Sequence, residues 1–467
     1  MSFVNRQDEL KYLHSQAESD RAELVVVYGR RRVGKTELLR HFCASRPHLF
    51  FVASQTTSEQ LLRDLSTQLA DLSDSPVPPG TVLQDWPSAF RVLGRLARDR
   101  RFVVILDEFP YLLWAEPVVA SQLQNLWDAE LRRTKLMLVL CGSHVSVMES
   151  EVLGQRSPLY GRRTGQWRVT PLGYRDAALF FPKYAREDQL TAYGILGGMP
   201  AYLEQFDPNK SLATNIVERI LSRGSMLYQE VYFLLQTELR EAGRYHAALS
   251  ALASGATRHQ DVARAIFGPE GRASAQPYLN RLEGLGMVER AVSATVRNPQ
   301  RTRDAIYRIS DPFIRFWFRL AAPNRSALEQ GRAHEVWTQR IRPVLSEGMG
   351  PVYEECARAH TWLLSRAGQL SFQPDTVGSW WDGKAEIDVT AVRHSTKEAY
   401  LAECTWSAGA VHPREVDELQ RKAAYFQTRT GYVPRGLALY ARRQFSQPAV
   451  RKAQEMGVAL YTVADLY

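Results

Sequence analysis

Short apolar runs alternate with amphipathic stretches through the first third of the chain. Residues 23–28 (Glu-Leu-Val-Val-Val-Tyr), 49–54, 102–106 and 136–141 are continuous rather than alternating and are rich in Val, Ile, Leu and Phe. That is the pattern of strands buried on both faces. Between them, residues 37–42, 58–72 and 86–98 have helical spacing, and Ser73-Asp74-Ser75-Pro76-Val77-Pro78-Pro79-Gly80 reads as a loop. Strands alternating with helices predict a parallel α/β sheet with its ligand at the strand C-terminal ends.

The pattern then changes. Residues 171–226 read as helical, interrupted at Gly197-Gly198-Met199-Pro200, and are expected to form a helical lid on the first domain. Residues 245–253, 257–267 and 274–285 read as three short helices, the third with Pro277 in its first turn, where proline is tolerated. Strand-like residues 286–290 and 305–309 follow, completing a winged helix-turn-helix. Residues 310–320 are dense in aromatics and are expected to pack one domain against another. Beyond 346 the chain reads as a helix (350–366), a turn at Trp380-Trp381-Asp382-Gly383, strands at 386–392 and 399–406, a helix (415–428) and a strand (435–440). The expected domains are an α/β nucleotide core (1–170), the lid (171–240), the winged helix (241–320), a linker (321–345) and a small α/β domain (346–467).

The strand ends carry the candidate chemistry. Gly29-Arg30-Arg31-Arg32-Val33-Gly34-Lys35-Thr36 is G-x-x-x-x-G-K-T, a phosphate-binding loop lying between a strand and a helix that opens near Glu37. Backbone N–H groups and the helix N-terminus make an anion site there. Lys35 is expected on the β/γ-phosphates and Thr36 on Mg²⁺. Asp107 and Glu108 end the 102–106 strand; Asp107 is expected to hold Mg²⁺ through water and Glu108 to orient the attacking water. Ser143, after the 136–141 strand, is the candidate γ-phosphate sensor. Arg162 and Arg163, in a glycine-flanked loop, read either as an arginine finger for a neighbouring subunit or as a solvated basic loop. Phe3–Leu10 leads into a helix and reads equally as a segment near the adenine or as an ordinary terminal helix.

Two further clusters point to nucleic acid. The wing carries Arg297, Arg301 and Arg303, and the third helix is expected to present Asn280, Arg281 and Glu283 outward. Protein contact is the other use of such a fold. In the last domain, Asp388 and Glu403 on neighbouring strands fit the carboxylates of restriction-type nucleases, with Glu354 as a third. The lysine place of that motif holds Thr405, and Lys422 on the following helix could substitute in space. An active nuclease and a decayed, binding-only fold both fit these residues.

At 467 residues the chain has room for about three domains. No apolar run is long enough to span a bilayer and no signal peptide is read at the N-terminus, so a cytoplasmic protein without a membrane partner is expected. The four cysteines lack metal-ligand spacing and read as reduced structural thiols. A net charge of +9, mostly from Arg, permits a polyanionic partner.

In combination, Gly-Arg-Arg-Arg-x-Gly-Lys-Thr, Leu-Asp-Glu-Phe-Pro-Tyr-Leu (106–112), Cys-Gly-Ser (141–143), Leu-Tyr-Gly-Arg-Arg-Thr (159–164), Gly-Gly-Met-Pro-Ala-Tyr-Leu (197–203) and residues 307–318 resemble the prokaryotic "archaeal ATPase" family of AAA+/STAND-like phosphate-loop ATPases. From about 346 onward the chain is similar to that family's C-terminal DUF234 domain, considered restriction-endonuclease-like. The resemblance implies an ATPase core, a winged helix and a nuclease-like tail. Family members often carry Glu-Cys-Lys-Trp where this chain has Glu403-Cys404-Thr405-Trp406, a departure that bears on DNA cleavage and leaves the ATP site intact. The expected protein uses ATP and Mg²⁺ as a nucleotide-dependent switch, has double-stranded DNA as its partner, and is compatible with a homo-oligomer. An ATP-dependent, metal-requiring DNA nuclease and a slow-turnover ATP-binding signalling scaffold stay open as alternatives.

Overall fold

The computed structural model describes residues 3–73, 75–270, 273–302 and 304–467, so Arg303 of the expected wing lies outside the described residues. The chain divides into two compact units, Met1–Pro171 with Met199–Ala201, and Leu172–Gly198 with Tyr202–Tyr467.

The first unit is built on a parallel sheet of β1 (Glu23–Tyr28), β2 (His48–Val52), β3 (Phe102–Asp107), β4 (Leu136–Gly142) and β5 (Gly165–Arg168), in the order β2-β3-β4-β1-β5. β1, β3 and β4 are buried along their whole length, as continuous apolar runs require. Helices α1 (Gln7–Ala17), α2 (Lys35–Cys43), α3 (Ser58–Ala70), α4 (Trp86–Leu96), α5 (Phe109–Ala115) and α6 (Val119–Ala129) connect or flank them. Capping sets two of the starts. The Thr57 side chain accepts from Gln60 N at α3, and Asp85 accepts from Ser88 N at α4, where Pro87 occupies the first turn. Leu24, Val26, Val104, Leu138 and Leu140 share one core with Trp86 and Phe90 of α4. β5 was not expected. It is four residues long and half exposed at the sheet edge, and so carries no apolar run.

The second unit begins with the helices expected as a lid on the first domain. They group with the rest of the second unit instead, because their side chains reach the chain's C-terminal end. Tyr174 Oη and Arg175 Nε donate to the Leu466 carbonyl at 2.8 and 2.6 Å, and Glu187 is gripped by Arg442 at 3.0 Å and Arg443 at 2.6 Å. Helices Ala242–Ala253, His259–Phe267 and Gln276–Gly284 then precede an antiparallel pair, β6 (Val288–Ala291) and β7 (Ile306–Ile309), which is the element order of a winged helix. Two of its arginines are not where the sequence suggests. Arg281 turns back and donates to the Glu238 carbonyl at 3.1 Å, while Asn280 and Glu283 are exposed as expected, along with Pro277. Arg297 donates to the His394 carbonyl at 3.1 Å, while Ala294 N donates to Ser379 O at 2.9 Å. Those contacts fasten the wing to the edge of the last sheet. Arg301 is exposed.

That last sheet has the order β12-β11-β10-β9-β8, from β8 (Thr376–Trp381), β9 (Glu386–Arg393), β10 (Glu398–Thr405), β11 (Val433–Ala441) and β12 (Val458–Thr462). β8, β9 and β10 pair antiparallel; β10, β11 and β12 pair parallel, with helices Pro413–Thr430 and Gln447–Glu455 between them. Trp380 and Trp381, expected in a turn, end β8, and the turn itself falls after them. Glycine and aspartate near the turn obscured an edge strand whose register shifts between Gly378 and Trp380. Among the described residues, no helix is long and apolar enough to cross a membrane.

A candidate nucleotide site and a second charged cluster

The expected phosphate loop joins the C-terminal end of β1 to the start of α2. Gly29 and Gly34 are required for different reasons. A Cβ at Gly29 would lie 2.3 Å from the Val169 carbonyl oxygen, and Gly34 caps α2 at φ 90°. Lys35 is buried, and its Nζ donates to Gly29 O at 2.9 Å and Arg30 O at 3.1 Å, which holds it inside the curl of the loop. Thr36 Oγ1 donates to Asp107 Oδ2 at 2.7 Å. A hydroxyl and a carboxylate form a hard-oxygen pair that suits Mg²⁺ with its remaining ligands from phosphate and water. Arg30 and Val33 are buried in the loop, Arg31 donates to Tyr111 Oη at 3.2 Å, Arg32 is exposed at φ 68°, and Glu37 is exposed in the first turn of α2.

The carboxylate beyond Asp107 is equally well defined. Glu108 follows Asp107 in the left-handed region at φ 53°, a conformation unfavourable for a residue with a side chain. Asp107 Oδ1 accepts from Glu108 N at 3.0 Å and secures it. Ser143 Oγ donates to Glu108 Oε2 at 2.8 Å from the end of β4. Lys35, Thr36, Asp107, Glu108 and Ser143 therefore meet at the C-terminal ends of three adjacent strands.

Arg162 and Arg163 do not join them. Thr164 N donates to Leu24 O at 2.8 Å, beside the first residues of β1, whereas the phosphate loop leaves its last. Six strand residues span about 20 Å. Arg162 pairs with Asp128 at 2.9 Å, and Arg163 donates to Leu153 O at 2.9 Å.

Sequence reading undervalued two contributors. Arg6, buried, donates to Val33 O and Thr170 O, both at 2.7 Å, and so ties the leading segment to the phosphate loop. Pro200 faces the other side of the loop, its Cγ 3.6 Å from the place of a Cβ at Gly34. A lone arginine before a helix carries no periodic signal. The Gly-Gly-x-Pro sequence does carry one, but from the sequence alone it reads only as a helix break.

In the last sheet, the structure gathers Glu354, Asp388, Glu403 and Lys422. Lys422 Nζ donates to Glu403 Oε2 at 2.7 Å, so a helix supplies the cation that the strand position of Thr405 lacks. Asp388 Oδ2 accepts from Cys404 N at 2.8 Å, and Arg358 stands 3.6 Å from Glu354. Burial and the neighbouring Asp388 charge push both Glu354 and Glu403 up to about 7, and burial raises Asp388. Among the described residues, no group of three or more His, Cys, Asp or Glu is arranged to hold a metal ion. Lys422, Arg358 and the Cys404 amide each engage one of the three carboxylates, while Glu403 Oε1 is buried without a hydrogen-bond partner among the described residues.

Fold and loop together define a phosphate-loop ATPase. Residues 3–206 match a model described as an ATPase domain predominantly from Archaea, and residues 317–420 match DUF234, archaeal and bacterial proteins of unknown function. An uncharacterized protein of Methanocaldococcus jannaschii is 30% identical over 420 residues, covering 90% of each chain. A shorter stretch of 44 residues, 9% of this chain and 75% of the other, is 46% identical to an uncharacterized ATP-binding protein of the same organism. The Walker-type ATPase of Pyrococcus abyssi shares the fold, with a TM-score of 0.53 at 20% identity over 68% of this chain and 96% of that one. The chain belongs to the archaeal ATPase family with a C-terminal DUF234 domain.

Proposed function

We propose that this ATPase binds Mg²⁺-ATP at Lys35, Thr36 and Asp107, hydrolyses it with Glu108 orienting the water, and uses the nucleotide state as a switch on duplex DNA. The observation that carries the reading is the Glu108 carboxylate held by Ser143 at 2.8 Å beside the Thr36–Asp107 pair. The winged-helix element order and the +9 charge support a DNA partner. Mg²⁺-ATP turnover measured with and without duplex DNA is the test. Turnover that DNA stimulates, and that Lys35→Ala lacks, is expected. Tight ATP binding without turnover, indifferent to DNA, rejects the reading in favour of a signalling scaffold.

Because Arg162 and Arg163 lie at the far end of the strands, a finger role requires a second copy of the chain. Sedimentation is then expected to show self-association that depends on ATP, and Arg162→Ala is expected to lower turnover without weakening nucleotide binding. Unchanged turnover in that variant returns the loop to the solvated class.

A nuclease is the second reading, favoured by the 2.7 Å contact of Lys422 with Glu403 beside Asp388. Nicking of supercoiled plasmid in Mg²⁺ or Mn²⁺, abolished by Asp388→Ala, is its expected result. Intact plasmid with nucleotide and either metal present rejects it.

A further inference from the structure

The ATPase core carries a cluster of positive charge that neither the nucleotide site nor the wing uses. Arg91, Arg95 and Arg98 recur at i, i+4 and i+7, so they form one stripe along the end of α4 and the turn after it. Gly94 sits within that stripe, and a Cβ there would lie 2.7 Å from Leu131 Cδ2. Its absence lets α4 close on the turn Leu131–Arg133, which precedes β4. Lys135 N donates to Ala97 O at 2.8 Å, and Arg101 Nη1 donates to Lys135 O at 3.1 Å, which fastens the two segments together. The result is a cleft of about 270 Å³ lined by Arg91, Arg95, Arg98, Arg133, Glu130 and Thr134, among others.

Residues 91–101 and 130–135 together hold eight basic side chains, seven of them Arg, against only Asp99 and Glu130. Set beside a whole-chain net charge of +9, this is the greater part of the excess in seventeen residues. Within the cleft, Glu130 engages Arg91 at 3.2 Å. Arg95, Arg98 and Arg133 are exposed and, among the described residues, make no side-chain hydrogen bond or ion pair. The C-terminal dipole of α4 offsets part of the mutual repulsion. The rest of the charge calls for an anion. Guanidinium groups one helical turn apart along an open cleft match a repeated phosphodiester better than a single small anion, which would engage one or two of them.

We propose that this arginine-lined cleft on the ATPase core is a nucleic-acid backbone site that holds duplex DNA by its phosphates without reading sequence. The proposal rests on the reading of DNA as the partner and moves the principal contact from the wing, where Arg297 is already bonded to the His394 carbonyl. It also predicts that DNA is held at the end of the sheet away from the phosphate loop, since α4 ends and β4 begins there.

The test measures binding of a labelled 30-base-pair duplex to the full chain across a range of salt. Arg95→Ala, Arg98→Ala and Arg133→Ala combined are expected to weaken binding at least about tenfold and to reduce the slope of log affinity against log salt by about 2 to 3. Nucleotide affinity, read with a fluorescent ATP analogue, is expected to be unchanged and reports folding. Glu130→Gln removes the one carboxylate in the cleft and frees Arg91, so it is expected to tighten binding and steepen the slope. Wild-type binding that both variants leave untouched overturns the cleft while leaving a DNA partner standing. Absence of duplex binding by the wild type at low salt overturns both.

Discussion

Glu108→Gln is expected to leave ATP binding within about twofold of the wild type and to lower turnover by about 100- to 1,000-fold. The amide keeps the shape of the carboxylate, and its oxygen can still accept from Ser143, whose hydroxyl stands 2.8 Å from Glu108 Oε2. It loses the negative charge that, in the proposed role, orients and polarises the attacking water. The phosphate-binding half is separate, since Lys35 and Thr36 belong to the loop and α2 whereas Glu108 belongs to the end of β3. Lys35→Ala therefore should fail at binding, and Glu108→Gln at the chemical step. Single-turnover hydrolysis and a nucleotide titration separate the two. A Glu108→Gln chain that hydrolyses at the wild-type rate, or one that loses ATP affinity in step with turnover, removes Glu108 from the water-orienting role.

The second large effect concerns stability. Glu354 and Glu403, both pushed up to about 7 from an ordinary 4.5, stay protonated in the folded chain over a range where the unfolded chain has ionised. The folded state then binds more protons, so stability falls as pH rises from about 4.5 to about 7. Lys422→Met removes the cation 2.7 Å from Glu403. The remaining charge has few partners, and breaking such a pair costs about 2–3 kcal/mol above about pH 7, where Glu403 is ionised, below the fully buried range because both side chains keep some exposure. The variant should lose most of that deficit below pH 5, where Glu403 is neutral. Unfolding followed by tryptophan fluorescence from pH 5 to pH 8 checks both statements. A flat midpoint across that interval, or a variant as stable as the wild type at pH 7.5, contradicts them.

The first unit was legible because its strands are saturated with apolar residues and its chemistry sits where those runs stop. Gly29–Thr36, Asp107, Glu108 and Ser143 could each be placed by counting to the end of a strand. What failed was set by partners distant in sequence. Arg281 looked outward on a helical wheel, but the Glu238 carbonyl lies on its side of the helix. Arg297 looked like a wing contact for phosphate, but the wing closes the exposed edge of β8, where an unpaired strand needs cover. β8 itself was hidden by Gly378 inside it and by Asp382-Gly383 directly after it, which break up its apolar run. Lys422 was found only as a question about space. Nineteen residues separate it from Glu403, and periodicity alone does not join a helix to a strand across that interval.

The three residues Met199–Ala201 belong to the first unit while the sequence on both sides belongs to the second. The backbone therefore passes between units at three places, 171/172, 198/199 and 201/202. A protease that nicks any one of them cuts the linear chain in two, and after a nick at 171/172 the first unit keeps its 199–201 segment only by noncovalent packing. Dissection by truncation is constrained in the same way. A fragment ending at Pro171 lacks Pro200 and exposes the flank of Gly34, so a faithful isolated ATPase core has to carry the 199–201 segment back on a grafted linker.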